Sequence, residues 1–111
     1  MHANLNMKSI VISIFIILLT GIVNNLALAD DIAEGKAKSE TCLGCHAIPG
    51  YNNVYPTYKV PKIGGQHAGY IEIALKAYRN NERTHGTMHA NAAALSDKDI
   101  KQIANYFESI K

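Results

Sequence analysis

Apolar and polar positions divide the chain into an apolar N-terminal segment and a mixed remainder. Residues 10–23 are apolar except at three positions, and the small-residue sequence A-L-A follows at residues 27–29. A short polar start, an apolar stretch of this length and an A-x-A site form the layout of a secretory signal peptide. The pattern predicts that residues 1–29 are cleaved on export and that residues 30–111 form the mature domain.

An uncleaved membrane anchor is the alternative interpretation of this segment. A membrane-spanning helix needs about 20 apolar residues, and the run from Ile10 to Val23 is shorter than that. No cysteine stands after the run at the position where lipoproteins are acylated. We therefore expect a periplasmic protein with no stable membrane insertion after cleavage.

Two segments after the signal peptide carry helical periodicity. The first runs from Asp31 to about Thr41, with Asp30 or Asp31 as its N-cap and acidic residues at the positive end of the helix dipole. The second spans residues 68–81 and has an apolar stripe on one side. The stripe consists of Tyr70, Ile71, Ala74, Leu75 and Tyr78.

A third helix is predicted at the C-terminus. Ser96 is its N-cap and Asp99 stands three residues later, which is a capping box in its looser form. Gly35 lies inside the first helix, where glycine costs about 1 kcal/mol relative to alanine. That cost predicts a close helix crossing, with Gly35 making room for Tyr106 or Phe107. The buried face of the third helix is Ile100, Ile103, Ala104, Phe107 and Ile110.

The remaining mature segments have no helical period and are predicted to be loops. The first, Ala47–Gln66, contains all three prolines of the chain, and the second is Asn81–Leu95. Three tyrosines of the first loop, Tyr51, Tyr55 and Tyr58, are candidates to lie beside a cofactor or to remain half-exposed. Since the mature chain carries no strand pattern, an all-α domain is expected.

Composition and charge limit the function further. The chain has 111 residues with 11 basic and 9 acidic side chains, and the lysines are scattered. Without a basic patch, nucleic-acid binding has no support. A mature domain of about 82 residues is small and is expected to need a staple in addition to its own core.

The two cysteines of the chain stand in the sequence Cys42-Leu43-Gly44-Cys45-His46. This C-x-x-C-H pattern is the attachment signature of a c-type haem. Two thiols at this spacing add to the two vinyl groups of one porphyrin, and the adjacent imidazole binds the iron. The motif predicts one covalent haem c held by Cys42 and Cys45, with His46 as the proximal ligand.

Other chemistries of two cysteines remain open at this point. A redox dithiol would require a βαβ setting, for which the sequence has no pattern. A zinc site would require further ligands, which His67, His85 or His89 would have to supply. A disulfide between Cys42 and Cys45 would be sterically tight and would leave His46 without a role.

Met88 is the favoured donor for the other side of the iron. It is the only methionine of the mature chain and stands in a polar segment, where a role in the core is a poor explanation. A thioether opposite histidine raises the reduction potential. His85, His89, His67 or an open distal site are the alternatives. The carbonyl of Pro61 is a candidate acceptor for the Nδ1–H of His46, a bond that would orient the ligand.

Four stretches together resemble the class I c-type cytochromes, in particular the small monohaem bacterial type similar to cytochromes c4, c5 and c553. They are Gly35-Lys36-Ala37 with the C-x-x-C-H motif, Pro61 to Gln66, Tyr70 to Met88, and Leu95 to Tyr106. The resemblance implies a cytochrome c fold with three main helices and long loops packed around one covalent haem. It implies His46 and Met88 as iron ligands, Pro61 as the residue that orients His46, and Gly35 packed on Tyr106. We expect Pro61, Ile63, Tyr70 and Leu75 to line the haem pocket.

The expected function is transfer of single electrons, without an enzymatic activity of its own. Redox proteins such as a dehydrogenase, an oxidase or another cytochrome would bind transiently at a haem edge rimmed by lysines such as Lys59 or Lys62. One alternative is a haem-bearing subunit of a larger membrane or oxidoreductase complex. Another is a haem enzyme or gas sensor with an open or histidine-ligated distal site.

Overall fold

The computed structural model describes residues 6–55 and 57–110. Contacts divide the chain into two compact units, Met1–Asp30 and Asp31–Lys111. The boundary lies one residue from the predicted start of the mature domain, whereas cleavage itself stays a prediction. The first residues of the predicted signal peptide, residues 1–5, lie outside the described range.

Helix α1 spans Met7–Lys38 and therefore passes through the predicted cleavage site. Its apolar part is exposed and is long and apolar enough to cross a membrane, a property that signal peptides share with anchors. The expectation that Asp30 or Asp31 caps a helix starting there is wrong, because the backbone is already helical at both. No proline interrupts this stretch, so nothing in the local sequence ends the helix.

Among its described residues, the second unit contains four further helices: α2 at Glu40–His46, α3 at Ala68–Arg79, α4 at Gly86–Ala92 and α5 at Asp97–Ser109. Helix α3 packs on both α4 and α5. The apolar stripes predicted for α3 and α5 supply most of the buried core, since one face of each helix must leave water. The core cluster consists of Ile71, Leu75, Ala92, Ile100, Ile103, Ala104 and Phe107.

Two segments that were predicted to be loops contain regular structure. In the first, strands β1 at Asn52–Val54 and β2 at Thr57–Lys59 form an antiparallel hairpin with Asn53 opposite Tyr58. Strands of three residues are too short to show a period of two, so the strand pattern could not be recognised from the sequence. The second segment contains α4, which is likewise short and largely polar. Across residues 6–55 and 57–110 the architecture is mostly helical, with one small two-stranded sheet.

The predicted capping box of α5 is confirmed. The Asp99 amide donates to Ser96 Oγ at 3.1 Å, and the Ser96 amide donates to the Asp99 carboxylate at 3.0 Å. The same carboxylate pairs with the Lys38 ammonium of α1 at 2.6 Å. An ion pair thus joins the N-terminal cap of α5 to the C-terminal end of α1.

The crossing of α1 and α5 at Gly35 is closer than the sequence predicted. Gly35 is buried, and a Cβ there would overlap the backbone carbonyl of Gln102 and lie 3.1 Å from the Tyr106 Cβ. Gln102 is itself 2% exposed, and its side-chain amide donates to the Asp31 carboxylate at 2.9 Å. The expected contact with Tyr106 is present, but the backbone of α5 is the nearer neighbour.

Replacing Gly35 by alanine should lower the free energy of unfolding by about 1–3 kcal/mol, because the added methyl must push the two backbones apart. Gly69→Ala is the matched control, since Gly69 also lies in a helix but has nothing within 4 Å of the added methyl. Urea denaturation followed by circular dichroism measures both. Equal stability of the two variants would contradict the close crossing.

The Asp99 carboxylate should make the stability of the domain sensitive to acid. Hydrogen bonds from Lys38 and then Ser96 hold the pKa of Asp99 well below its usual range. A lowered pKa stabilises the fold above the unfolded value of about 3.9, and that stabilisation is lost as the pH falls towards the folded value. The difference in unfolding free energy between the native protein and Asp99→Asn should therefore narrow below about pH 4.

Glu40→Gln is the control for this titration, because Glu40 is exposed and has no ion pair among the residues that the structure describes. Urea midpoints at a series of pH values compare the two variants. A difference for Asp99→Asn that stays constant from neutral pH to about pH 2 would argue against the ion pair with Lys38.

Candidate functional site

A cavity of about 330 Å³ opens between the helices and the hairpin of the unit Asp31–Lys111. This volume lies at the lower end of the range for small-molecule and cofactor sites. The predicted site residues Cys42, Cys45, His46, Pro61, Ile63, Tyr70, Leu75 and Met88 all line it. The structure thus brings together side chains that are up to 46 positions apart in the sequence, while their roles toward a cofactor stay predictions.

Helix α2 positions the two thiols and the imidazole. The sequence predicted that the C-x-x-C-H motif follows the end of a helix, whereas the motif is itself helical. Spacings of three and four residues place Cys42, Cys45 and His46 on one face of that helix. Burial raises the pKa of the Cys42 thiol.

The start of α2 is fixed by a buried serine between the first two helices. Ser39 is 0% exposed, and its hydroxyl donates to the Gly35 carbonyl at 2.7 Å. Because Gly35 lies against α5, this hydrogen bond links the start of α2 to the crossing of α1 and α5. The thiol face of α2 is therefore oriented by the core of the domain.

His46 is oriented by the hydrogen bond that the sequence predicted. Its Nδ1 lies 2.6 Å from the carbonyl oxygen of Pro61, so Nδ1 carries the proton and donates. The lone pair of Nε2 is then available to a metal. Such a bond fixes the rotation of an imidazole ligand and makes it a stronger base.

Met88 lies on the short helix α4. The sequence had predicted an irregular loop at this position. Its side chain is partly buried, packs against the core cluster and also lines the cavity. His85 is the N-cap of α4, and its Nδ1 accepts from the Met88 amide at 3.4 Å. Met88 therefore does contribute to the core, although the sequence had made a role in the core a poor explanation for this residue.

The three alternative histidines occupy different positions. His85 lines the cavity. The Nδ1 of His89 lies 2.9 Å from the Tyr78 carbonyl, and His89 is not part of the cavity lining. The imidazole of His67 is 91% exposed and faces Glu108 at 3.6 Å. Only His85 is therefore placed to compete with Met88 for a metal in the cavity.

Several lining residues were not identified from the sequence as parts of the site. Tyr58 was one of three loop tyrosines with undecided roles, and it lines the cavity whereas Tyr55 is 96% exposed. Arg83 also lines the cavity and stacks on the Tyr78 ring at 4.6 Å. The tyrosine-rich composition of the loop was the only local signal for Tyr58, and it did not distinguish that residue from its neighbours.

The donors and the lining fit a haem held through two sulfurs. The lining is mostly apolar and contains two thiols, an imidazole with an available Nε2 and a thioether. Thiols can add to the vinyl groups of a haem, and an imidazole and a thioether can bind its iron. Within residues 6–55 and 57–110, no group of three or more histidine, cysteine or acidic side chains is arranged to hold a metal ion. The zinc alternative therefore has no ligand set in the described part of the chain.

Comparison with known proteins identifies the family of the chain. The family model described as Cytochrome c matches residues 32–111. The chain is 42% identical over 84 residues to cytochrome c-554(548) of Halomonas halodenitrificans, which covers 73% of this chain and 98% of that protein. It is 32% identical over 78 residues to the cytochrome subunit of sulfide dehydrogenase of Chlorobaculum tepidum, which covers 70% of this chain and 67% of that subunit.

A solved structure has the same fold. The crystal structure of reduced recombinant cytochrome c4 from Pseudomonas stutzeri superposes with a TM-score of 0.57 at 32% sequence identity. The match covers 77% of this chain and 49% of that one, so the chain spans about half of the length of that cytochrome.

Proposed function

The chain belongs to the cytochrome c family as a class I c-type cytochrome similar to cytochrome c4, and from that membership we propose a periplasmic carrier of single electrons. Members of this family are haem-based electron carriers. The observation that carries the proposal is the position of Cys42, Cys45, His46 and Met88 on the wall of one cavity. One haem c is proposed, attached through both thiols.

The proposed iron ligands are His46 Nε2 and the thioether of Met88. When bound, the iron supplies a couple between the ferric and ferrous states that accepts or releases one electron. The Pro61 carbonyl keeps the imidazole of His46 in one orientation. Apolar side chains of α3, including Ile71 and Leu75, form one wall of the cavity and would shield a bound haem from water. Because both ligands lie on helices, little movement is expected when the charge of the iron changes.

The rim of the cavity suits weak contacts with other redox proteins. Lys59 and Arg83 line it, and no acidic side chain does so among the described lining residues. Tyr70 and Ile73, both on α3, are 54% and 71% exposed and add apolar surface that a partner protein can contact. Charge at the rim raises the rate of association with an acidic partner, while a small apolar contact permits rapid release.

A subunit of a larger redox complex is the second candidate, and one observation favours it. The similarity to a cytochrome subunit of sulfide dehydrogenase extends over 70% of this chain. Helix α1, if retained, would add a membrane attachment. Native molecular mass after mild extraction separates the two candidates, since a carrier elutes as a single small protein and a subunit elutes with its enzyme.

Replacing Met88 by alanine tests the proposed ligand directly. The oxidised protein should lose the weak far-red absorption band of a thioether on ferric haem. Its reduction potential should fall by on the order of 0.1 V, a fraction of the about 0.8 V range that axial ligands command. Visible spectra and a redox titration of the exported protein measure both.

His89→Gln is the control for this experiment, because the His89 ring lies against the Tyr78 carbonyl and not in the cavity. It should retain the band and a potential close to that of the unmodified protein. An unchanged spectrum and potential in Met88→Ala would rule out the thioether as a ligand and with it the proposed ligand pair.

A further inference from the structure

We propose that Tyr58 of the hairpin is a positioning residue that holds the segment carrying Met88 in place, and so helps the thioether to exclude competing ligands from the iron. The inference rests on the proposed function. Tyr58 itself is not proposed to bind the iron. Its effect is assigned to two contacts with residues that precede Met88 at the start of α4, Thr87 and His85.

The first contact is a hydrogen bond. The hydroxyl group of Tyr58 on β2 lies 3.0 Å from Thr87 Oγ1, and Thr87 directly precedes Met88 in α4. The second is an aromatic contact, since the rings of Tyr58 and His85 meet edge to face with centroids 4.6 Å apart. One side chain of the hairpin therefore touches both the N-cap of α4 and a residue of its first turn.

The His85 contact reaches Met88 through the backbone. His85 Nδ1 accepts from the Met88 amide at 3.4 Å, which is the capping bond of α4. While Tyr58 keeps the His85 ring at the cap, the histidine best placed to replace Met88 is held at the N-terminus of α4 by both contacts.

Helix α4 needs such support because it is short. Its seven residues are too few to be stable as an isolated helix, so its position depends on what it packs against. At its C-terminal end Ala92 is completely buried. At its N-terminal end, a Cβ atom added to Gly86 would have no atom within 4 Å. The contacts of Tyr58 are thus placed at the end of α4 that the core leaves open.

The hairpin is anchored well enough to act as a support. Val60, which follows β2, is 7% exposed, and its amide donates to the Tyr51 carbonyl at 3.0 Å. Tyr58 pairs with Asn53 across the two strands. The ring of Tyr58 is therefore attached to a closed loop that is held at its base, so moving the ring requires moving the hairpin.

Exogenous imidazole provides the test, because it binds ferric iron only when Met88 is displaced. For Tyr58→Phe, imidazole should bind the oxidised, exported haem protein about three- to tenfold more tightly than it binds the unmodified protein, the effect of losing one hydrogen bond. Thr87→Val removes the other partner of the same bond and should give the same change. The double variant should then show no further gain.

Tyr55→Phe is the matched control, since it removes a hydroxyl from the tip of the same hairpin at a side chain that is 96% exposed. It should bind imidazole as the unmodified protein does. A change in the stability of Tyr58→Phe to urea without a change in imidazole affinity would assign Tyr58 to folding alone and overturn the inference. Additive effects of Tyr58→Phe and Thr87→Val would overturn it as well.

The unmodified protein separates this inference from the proposed function. If it shows the thioether band and Tyr58→Phe binds imidazole unchanged, only the role of Tyr58 fails. If the unmodified protein lacks the band, the ligand pair is wrong and the inference fails with it.

Discussion

The contact between the backbones of α1 and α5 at Gly35 determines where the walls of the cavity lie. Any side chain at this position would collide with the Gln102 carbonyl. From this crossing, the buried Ser39 carries the chain into α2, whose thiols and imidazole form one wall. Helix α5 also packs on α3, which forms another wall. The positions of the proposed haem-binding residues therefore depend on a contact that includes none of them.

The cavity is also the place where so small a domain would hold a stabilising group. The described core is a small cluster of aliphatic side chains and one phenylalanine, and the adjoining cavity is lined by apolar groups that remain open to solvent. Domains of this size bury a modest share of their surface and commonly rely on a staple. A covalently attached porphyrin would complete the core and link α2 to α3 and α4. Binding and folding are expected to be coupled for this reason.

Sequence reasoning succeeded where the information is local. The family resemblance carried by the C-x-x-C-H motif, the Ser96–Asp99 cap and the apolar stripes of α3 and α5 each depend on residues within a few turns of one another. It failed for the hairpin, whose strands have three residues each, and for α4, which is short and polar. The support of α4 by Tyr58 joins residues 29 positions apart, and no local pattern encodes such a contact. The start of α1 was missed because the apolar segment and the domain helix continue each other without a break.

The central claim is that one macrocycle is bound to this chain through Cys42 and Cys45. Mass spectrometry of the exported protein under denaturing conditions tests it most directly, because thioether bonds survive unfolding and coordination bonds do not. We predict the mass of the polypeptide plus a single haem, with the addition located on the peptide from Cys42 to His46. A polypeptide mass without any addition, from cells that mature other c-type cytochromes, would contradict the account.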